Sequence, residues 1–171
     1  VERTMLTATF RTTDTGFSRS YLTPLPNGSA QYAFSEATSL RLAYSRRITR
    51  PNIYYLNPYV DRSDPSYLSF GNPKLDPELT DSYELSYNTV IKTATLNAAL
   101  SVRHTGNAIE QVRLPTDSLN VTAQTFANVA ANTFYQFNIY ASLKPSPKWD
   151  LSVGPDVQYL IRRSPALGAN R

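Results

Sequence analysis

A chain of 171 residues is long enough for one domain or for a slice of a larger one. With 41% hydrophobic and 18% charged residues, 12 Tyr and 7 Phe, it is too aromatic and too little charged for a disordered chain. The absence of cysteine excludes disulfides and thiolate metal sites, and a net charge of +4 with Arg46, Arg47 and Arg50 as its only basic cluster argues against a nucleic-acid module, which concentrates charge on one face or helix.

In chain order, Val1 to Phe10 reads like a strand already under way, so the chain is expected to be a fragment, with signal peptide and any preceding domain outside it. A long connector is expected at Thr12 to Leu25 and a strand from Ala30. A short connector follows at Ser35 to Thr38. Ser39 to Arg47 alternates with period two: Leu40, Leu42 and Tyr44 on one face, Arg41, Ala43, Ser45 and Arg47 on the other. A long connector takes Arg50 to Asp81. Ser82 to Val90 sets Tyr83, Leu85 and Tyr87 against Glu84, Ser86 and Asn88. After a short link at Lys92 to Ala94, Thr95 to Arg103 sets Leu96, Ala98, Leu100 and Val102 against Asn97, Ala99, Ser101 and Arg103. Gly106 to Thr133 reads as a third long connector, with a short helical turn expected within Asn120 to Ala131. Tyr135 to Leu143 and Leu151 to Tyr159 alternate again, across a short link at Lys144 to Asp150. Ser164 to Arg171 reads as another loop.

No run approaches 18 apolar residues, so a transmembrane helix is excluded; a membrane barrel is not, because its strands alternate. The connectors themselves alternate long and short, as they do in outer-membrane barrels. Soluble sandwiches keep connections short throughout. A polar face turned outward would carry Arg41 into hydrocarbon at about 2–4 kcal/mol near the midplane; Arg103 and Glu84 decide their strands the same way. Leu40 and Leu42 therefore face lipid, and the polar side faces a wet or protein-filled lumen. Arg46 is the outward exception, at the interfacial end. Trp149 lies beside a short turn, where a periplasmic aromatic girdle belongs. The expected fold is all-β: an antiparallel up-and-down transmembrane β-barrel, incomplete, with about seven strands of a larger barrel and residues 1–171 all within that one domain. A soluble antiparallel sheet with one dry face explains the alternation equally well, and the long and short connectors and the Tyr-rich apolar face less well.

The most informative stretch runs from Tyr44 to Tyr87. It reads Tyr44-Ser45-Arg46-Arg47-Ile48-Thr49-Arg50-Pro51, then Leu56-Asn57-Pro58-Tyr59, then Gly71-Asn72-Pro73-Lys74-Leu75-Asp76-Pro77-Glu78, then Ser82-Tyr83-Glu84-Leu85-Ser86-Tyr87. Pro51 cannot donate to a ladder, and the Asn-Pro and Asp-Pro pairs punctuate a structured loop. This order of pieces resembles the barrel of TonB-dependent receptors, particularly the outer-membrane β-barrel family common in Bacteroidota. The resemblance implies a barrel of about 22 strands plugged by the protein's own N-terminal domain, and ligand import energised by a periplasmic TonB protein. It implies contact with outer-membrane lipid and lipopolysaccharide, no nucleic-acid partner and no cofactor.

The candidate ligand-binding residues lie in the long extracellular connector. Arg47 and Arg50, beside Arg46, suit carboxylates, phosphates or chelates; stabilisation of the loop through Asp61, Asp64, Asp76 or Asp81, or contact with lipopolysaccharide phosphates, is the preferred reading. Tyr54, Tyr55, Tyr59 and Tyr67, with Asn57, line a vestibule or pack the loop on itself. Arg46, Pro51, Pro58, Gly71, Asn72, Pro73, Leu75, Pro77, Glu78 and Glu84 carry the motif. Asp61, Asp64, Asp76, Glu78 and Asp81 match no calcium-loop spacing. His104 is the only histidine and no activated-serine motif accompanies it; Glu84 and Glu110 show no paired arrangement. No catalytic or metal residue is expected. Ligand uptake is the expected function, with a passive porin-like or structural barrel, or a soluble β-rich binding module, as alternatives.

Overall fold

The computed structural model describes residues 1–10, 15–114, 121–164 and 169–170. Strands β1 (Glu2–Phe10) and β2 (Thr15–Thr23) form an antiparallel two-stranded sheet. Pro24 and Pro26 break the ladder before β3 (Asn27–Ser35), which starts the main sheet. Its further strands are β4 (Thr38–Thr49), β5 (Asp61–Asp64), β6 (Tyr67–Ser69), β7 (Glu78–Ile91), β8 (Ala94–Leu114), β9 (Thr122–Ser146), β10 (Trp149–Val153), β11 (Asp156–Ser164) and β12 (Ala169–Asn170). A single helical turn, α1 (Ile53–Leu56), lies after β4. The wall order is β3-β4-β7-β8-β9-β11-β12, with β10 also on β9. Gly154-Pro155 interrupts β10 and β11, which share one edge of β9.

Three two-residue turns lie at one end of the sheet: Glu36-Ala37, Lys92-Thr93 and Pro147-Lys148. Lys92 takes a φ of 54° there. The antiparallel register aligns the alternating residues into rows across strands. Ala30, Leu42, Leu85, Leu100, Phe137 and Val157 form one outward row. Tyr44, Tyr83, Val102, Tyr135 and Tyr159 form the row above, an aromatic girdle. Ile91, Ala94, Leu143 and Leu151 form the row by the short turns. On β7 this band runs from Ile91 to Tyr83; at about 3.3 Å per residue and a tilt of about 40° it spans roughly 20 Å of membrane height.

The outward face has no second layer among the described residues: Leu42 is 58% exposed, Leu100 46% and Phe137 43%. The inward rows are polar, as expected: Gln31, Arg41, Ser86, Ala99, Asn138 and Asp156 in one, Ser29, Ala43, Glu84, Ser101, Gln136 and Gln158 in the next.

Three expectations need correcting. Gly106 to Thr133 is no long connector: β8 continues to Leu114 and β9 starts at Thr122, so the pair stands well above the girdle. The short helical turn within Asn120 to Ala131 is strand β9 from Thr122 onward; Asn120 lies outside the described residues. Thr12 to Leu25 is mostly β2. Above the membrane the β8–β9 extension packs against residues 50–77 through small or polar residues, Ala108, Ala123, Gln124, Thr125 and Ala130, so the alternation of large apolar residues that marks a strand in sequence is absent there. At the other end β11 reaches Ser164 and β12 pairs with it; residues 165–168 and 171 lie outside the described residues.

Candidate functional site

The buried apolar residues among those described are Leu56, Leu75, Ala108, Ala123 and Ala130, all above the girdle. The dry core of this chain is therefore in its extracellular part. It forms where residues 50–77 lie as a strap across the β8–β9 extension. The strap begins at the top of β4 and crosses to the far edge of β9, where β6 pairs in parallel with Thr122 to Gln124. It then returns to β7.

The strap is a series of side-chain-capped turns. Asn57, Asp64 and Asn72 each precede a proline, and each side-chain oxygen accepts from the backbone N–H two residues on: Tyr59 at 3.1 Å, Ser66 at 2.8 Å and Lys74 at 2.9 Å. Asn52 caps α1 through the Tyr54 N–H at 3.0 Å. Ser63 donates to Asp61 from its hydroxyl at 2.6 Å and its N–H at 2.9 Å, holding that carboxyl below the usual carboxylate range. The Asn-Pro and Asp-Pro pairs are thus turns with defined acceptors.

The motif from Gly71 to Glu78 fastens strap to wall. Gly71 donates to the Asn57 carbonyl at 2.8 Å, and Asn72 donates to that of Tyr55 at 2.6 Å. Asn72 Nδ2 donates to the Phe126 carbonyl at 2.9 Å. The Asp76 N–H donates to Asn128 Oδ1 at 2.8 Å, and Asn128 Nδ2 returns a bond to the Asp76 carbonyl at 2.9 Å. Glu78 Oε1 accepts from the Ile109 N–H at 2.7 Å, where β8 bulges and Asn107 takes a φ of 54°. Leu75 is 3% exposed and Leu56 1%. Tyr55 stacks on Phe126 with centroids 4.3 Å apart. Arg19 of β2 donates to the Leu75 carbonyl at 2.6 Å and pairs with Asp76 at 3.0 Å.

The expected arginine cluster is dispersed. Arg46 faces outward one step above the Tyr girdle, bidentate to Asp81 at 2.7 and 2.9 Å, with the Tyr44 hydroxyl donating to the same carboxylate at 2.6 Å. Arg47 belongs to the inward row with Thr80, Thr105, Asn132 and Arg162. Arg50 holds β1 through Glu2 and Thr4. Tyr54 (64% exposed), Tyr59 and Tyr67 remain exposed on the strap, whereas Tyr55 and Asn57 are engaged in it. Pro51, Pro58, Pro73 and Pro77 lie along the strap, and Glu84 lines the inward face. The carboxylates weighed as a cation site go to separate partners: Asp76 to Arg19, Asp81 to Arg46, Glu78 to Ile109. His104 Nδ1 meets Thr133 Oγ1 at 3.0 Å. Sequence reasoning missed Phe126, Asn128, Asn132 and Arg162, and weighed Glu110 only for paired-carboxylate chemistry; the signal available for the extension was the Gly106-Asn107 pair, which marks the bulge.

The outer membrane protein beta-barrel family model matches residues 1–166. No curated protein matches the sequence. Among solved structures, the FrpB iron transporter from Neisseria meningitidis (F3-3 variant) is similar with a TM-score of 0.57 and 14% identity, over 88% of this chain and 21% of that one. The copper transporter OprC is similar with a TM-score of 0.57 and 13% identity, over 89% of this chain and 22% of that one. The chain spans about a fifth of the length of these structures, and at such identity the likeness is one of fold.

Proposed function

Because this chain belongs to the outer membrane protein beta-barrel family, we propose that it forms part of the wall and extracellular mouth of a TonB-dependent receptor that takes up a ligand from outside the cell. The protein resides in the outer membrane of a Gram-negative bacterium. Its outward face meets outer-membrane lipid, and lipopolysaccharide phosphates lie within reach of the Arg46 level. The protein's own N-terminal plug occupies the polar lumen. Energy comes from a periplasmic TonB system. The spaced elements from Tyr44 to Tyr87 support the Bacteroidota type.

One observation carries this reading: the dry core is invested in the extracellular strap. A wall that merely encloses water has no use for Leu56 and Leu75 buried above the membrane. A receptor needs a rigid surface at its mouth, because preorganisation lowers the entropic cost of capture. Exposed Tyr54, Tyr59 and Tyr67, with Arg47 at the top of the lumen, are the first-contact residues of this proposal. FrpB and OprC are named as iron and copper transporters, which supports transport as the class of activity and leaves the ligand of this protein open. The reading is of a transporter wall and not of an enzyme.

The competing reading is a passive porin-like barrel, favoured by the polar inward rows. Planar-bilayer conductance of the full-length protein separates the two. A plugged receptor stays closed until its plug is released; steady ohmic conductance in the resting protein overturns the receptor reading.

A further inference from the structure

The outward row beside the short turns is uneven. Ala94 stands in it between Ile91 and Leu143, and one row higher Ala141 stands between Leu96 and Val153. These two small residues, on the adjacent strands β8 and β9, floor an apolar groove of about 450 Å³ walled by Ile91, Leu96, Leu143, Leu151 and Val153. That volume lies within the range of small-molecule sites, about 300–1,000 Å³. The groove opens on the lipid-facing side, at the short-turn end of the wall. Charge at its lower end is one-sided. Lys92, on the β7–β8 turn, and Lys148, on the β9–β10 turn, are exposed and form no ion pair among the described residues, whereas Lys144 is paired with Asp150 at 3.2 Å. The two turns bracket the groove and stand two strand spacings apart, about 10 Å. Trp149, 65% exposed, lies at the same end, where an indole sits among headgroups. Glu36, the acidic residue of the β3–β4 turn, lies beyond β7 on the side away from the groove.

We propose that this groove holds an acyl chain of an anionic glycerophospholipid of the periplasmic leaflet, with the phosphate between Lys92 and Lys148. The proposal follows from the lipid-facing wall and is independent of the uptake reading. Apolar side chains gain no hydrophobic energy against lipid tails, so an even surface retains no particular lipid. A recess does, because a chain seated in it makes packing contacts on several sides. The headgroup then sets orientation: each ammonium rides on a flexible four-carbon stem, and both reach one phosphate lying between the two turns. Each lysine beside an anionic headgroup gives about a fivefold preference. A zwitterionic headgroup brings its own ammonium to the two lysines and loses that preference. Lipopolysaccharide carries its phosphates at the opposite, Arg46 end of the wall, out of reach of Lys92 and Lys148. A second copy of the barrel seated on the groove would set lysines of like charge against one another.

The test is native mass spectrometry of the purified full-length protein released from nanodiscs. The discs hold equal amounts of phosphatidylglycerol, phosphatidylcholine and phosphatidylethanolamine with identical chains, doped with lipopolysaccharide. Preferential retention of phosphatidylglycerol on the monomeric barrel is expected. Lys92→Gln and Lys148→Gln are each expected to lower that preference about fivefold, and the double variant roughly 25-fold. Ala141→Phe fills the floor of the groove and is expected to remove retention with both lysines in place. Ala94→Leu, a smaller filling nearer the turns, is expected to weaken it by the same route and serves where Ala141→Phe does not assemble. Lys74→Gln, on the extracellular strap, is expected to leave retention unchanged. Heat-modifiable electrophoretic mobility checks that each variant assembles. Equal retention of the three phospholipids overturns the proposal, as does a preference indifferent to the double lysine variant. Retention that survives the groove-filling variants, lipopolysaccharide held in place of phospholipid, or a lipid-free dimer broken by Ala141→Phe overturns it as well. None of these outcomes touches the uptake reading, which the bilayer conductance decides separately.

Discussion

Gly71 shows how one residue fixes the strap. A Cβ added there would lie 2.5 Å from the Asn57 carbonyl oxygen, 2.6 Å from that of Tyr55 and 2.7 Å from the Asn57 nitrogen. All three are backbone atoms, so no side chain can yield. Gly71→Ala is expected to cost the strap about 1–3 kcal/mol, as overpacking does. Proteolysis of residues 50–77 in isolated outer membranes should accelerate while heat-modifiable mobility of the barrel stays the same; a strap cleaved at the native rate would show that the close approach is relieved elsewhere. The Gly71-to-Glu78 motif was legible in the sequence as a motif, and its prolines as turns. Its mates were not. Asn128 and Phe126 stand in an alanine-rich stretch, and a hydrogen bond spanning 52 residues leaves no local trace. The arginine cluster misled for a related reason: adjacent residues on a strand point to opposite faces, so Arg46 and Arg47 cannot share a ligand from their side chains alone.

Among the elements, the membrane-crossing parts of β4, β7, β8 and β9 were readable, because lipid on one side and water on the other impose period two. The extension of β8 and β9 was not, because the residues it buries under the strap, Ala108, Ala123, Gln124, Thr125 and Ala130, are small or polar and leave no alternation of large apolar side chains. Two predictions follow from this division. Leu100→Arg puts a charge in the outward row between Leu85 and Phe137, one step below the girdle, at a cost between the about 2–4 kcal/mol of the midplane and the ~0–1 kcal/mol of the interface; Ser101→Arg puts it in the lumen row between Glu84 and Gln136. The first should sharply reduce assembled protein in outer-membrane fractions and the second should leave it near wild type. Equal yields would mean that the faces are assigned the wrong way round. On the extension, Phe126→Ala removes the ring on which Tyr55 stacks, worth about 0.5–1.5 kcal/mol beyond the area it buries. Hydrogen exchange of the strap amides of Tyr55, Gly71 and Asn72 should speed up, while the amides of β7 below the girdle stay protected.

For the whole molecule, membrane anchoring and the proposed ligand capture use different parts of the chain. The lipid-facing rows are exposed side chains that gain their stability from the bilayer. The strap and the β8–β9 extension gain theirs from Leu56, Leu75 and the small alanines beneath them. The two zones share backbone but few side chains, and the Arg46–Asp81–Tyr44 group marks their boundary. A barrel built this way should tolerate loss of the upper zone. Deleting Pro51 to Pro77 removes every side chain of the strap core and leaves the girdle and the rows below it intact. The deleted protein is expected to reach the outer membrane in near-normal amount and to keep its heat-modifiable mobility. Ligand capture by whole cells should be lost, and cleavage within residues 106–114 and 121–132 should increase, because the extension loses the layer that braces it. Capture that survives the deletion would take the strap out of the mechanism. Failure to assemble would mean that the dry core above the membrane is also what lets the wall below it form.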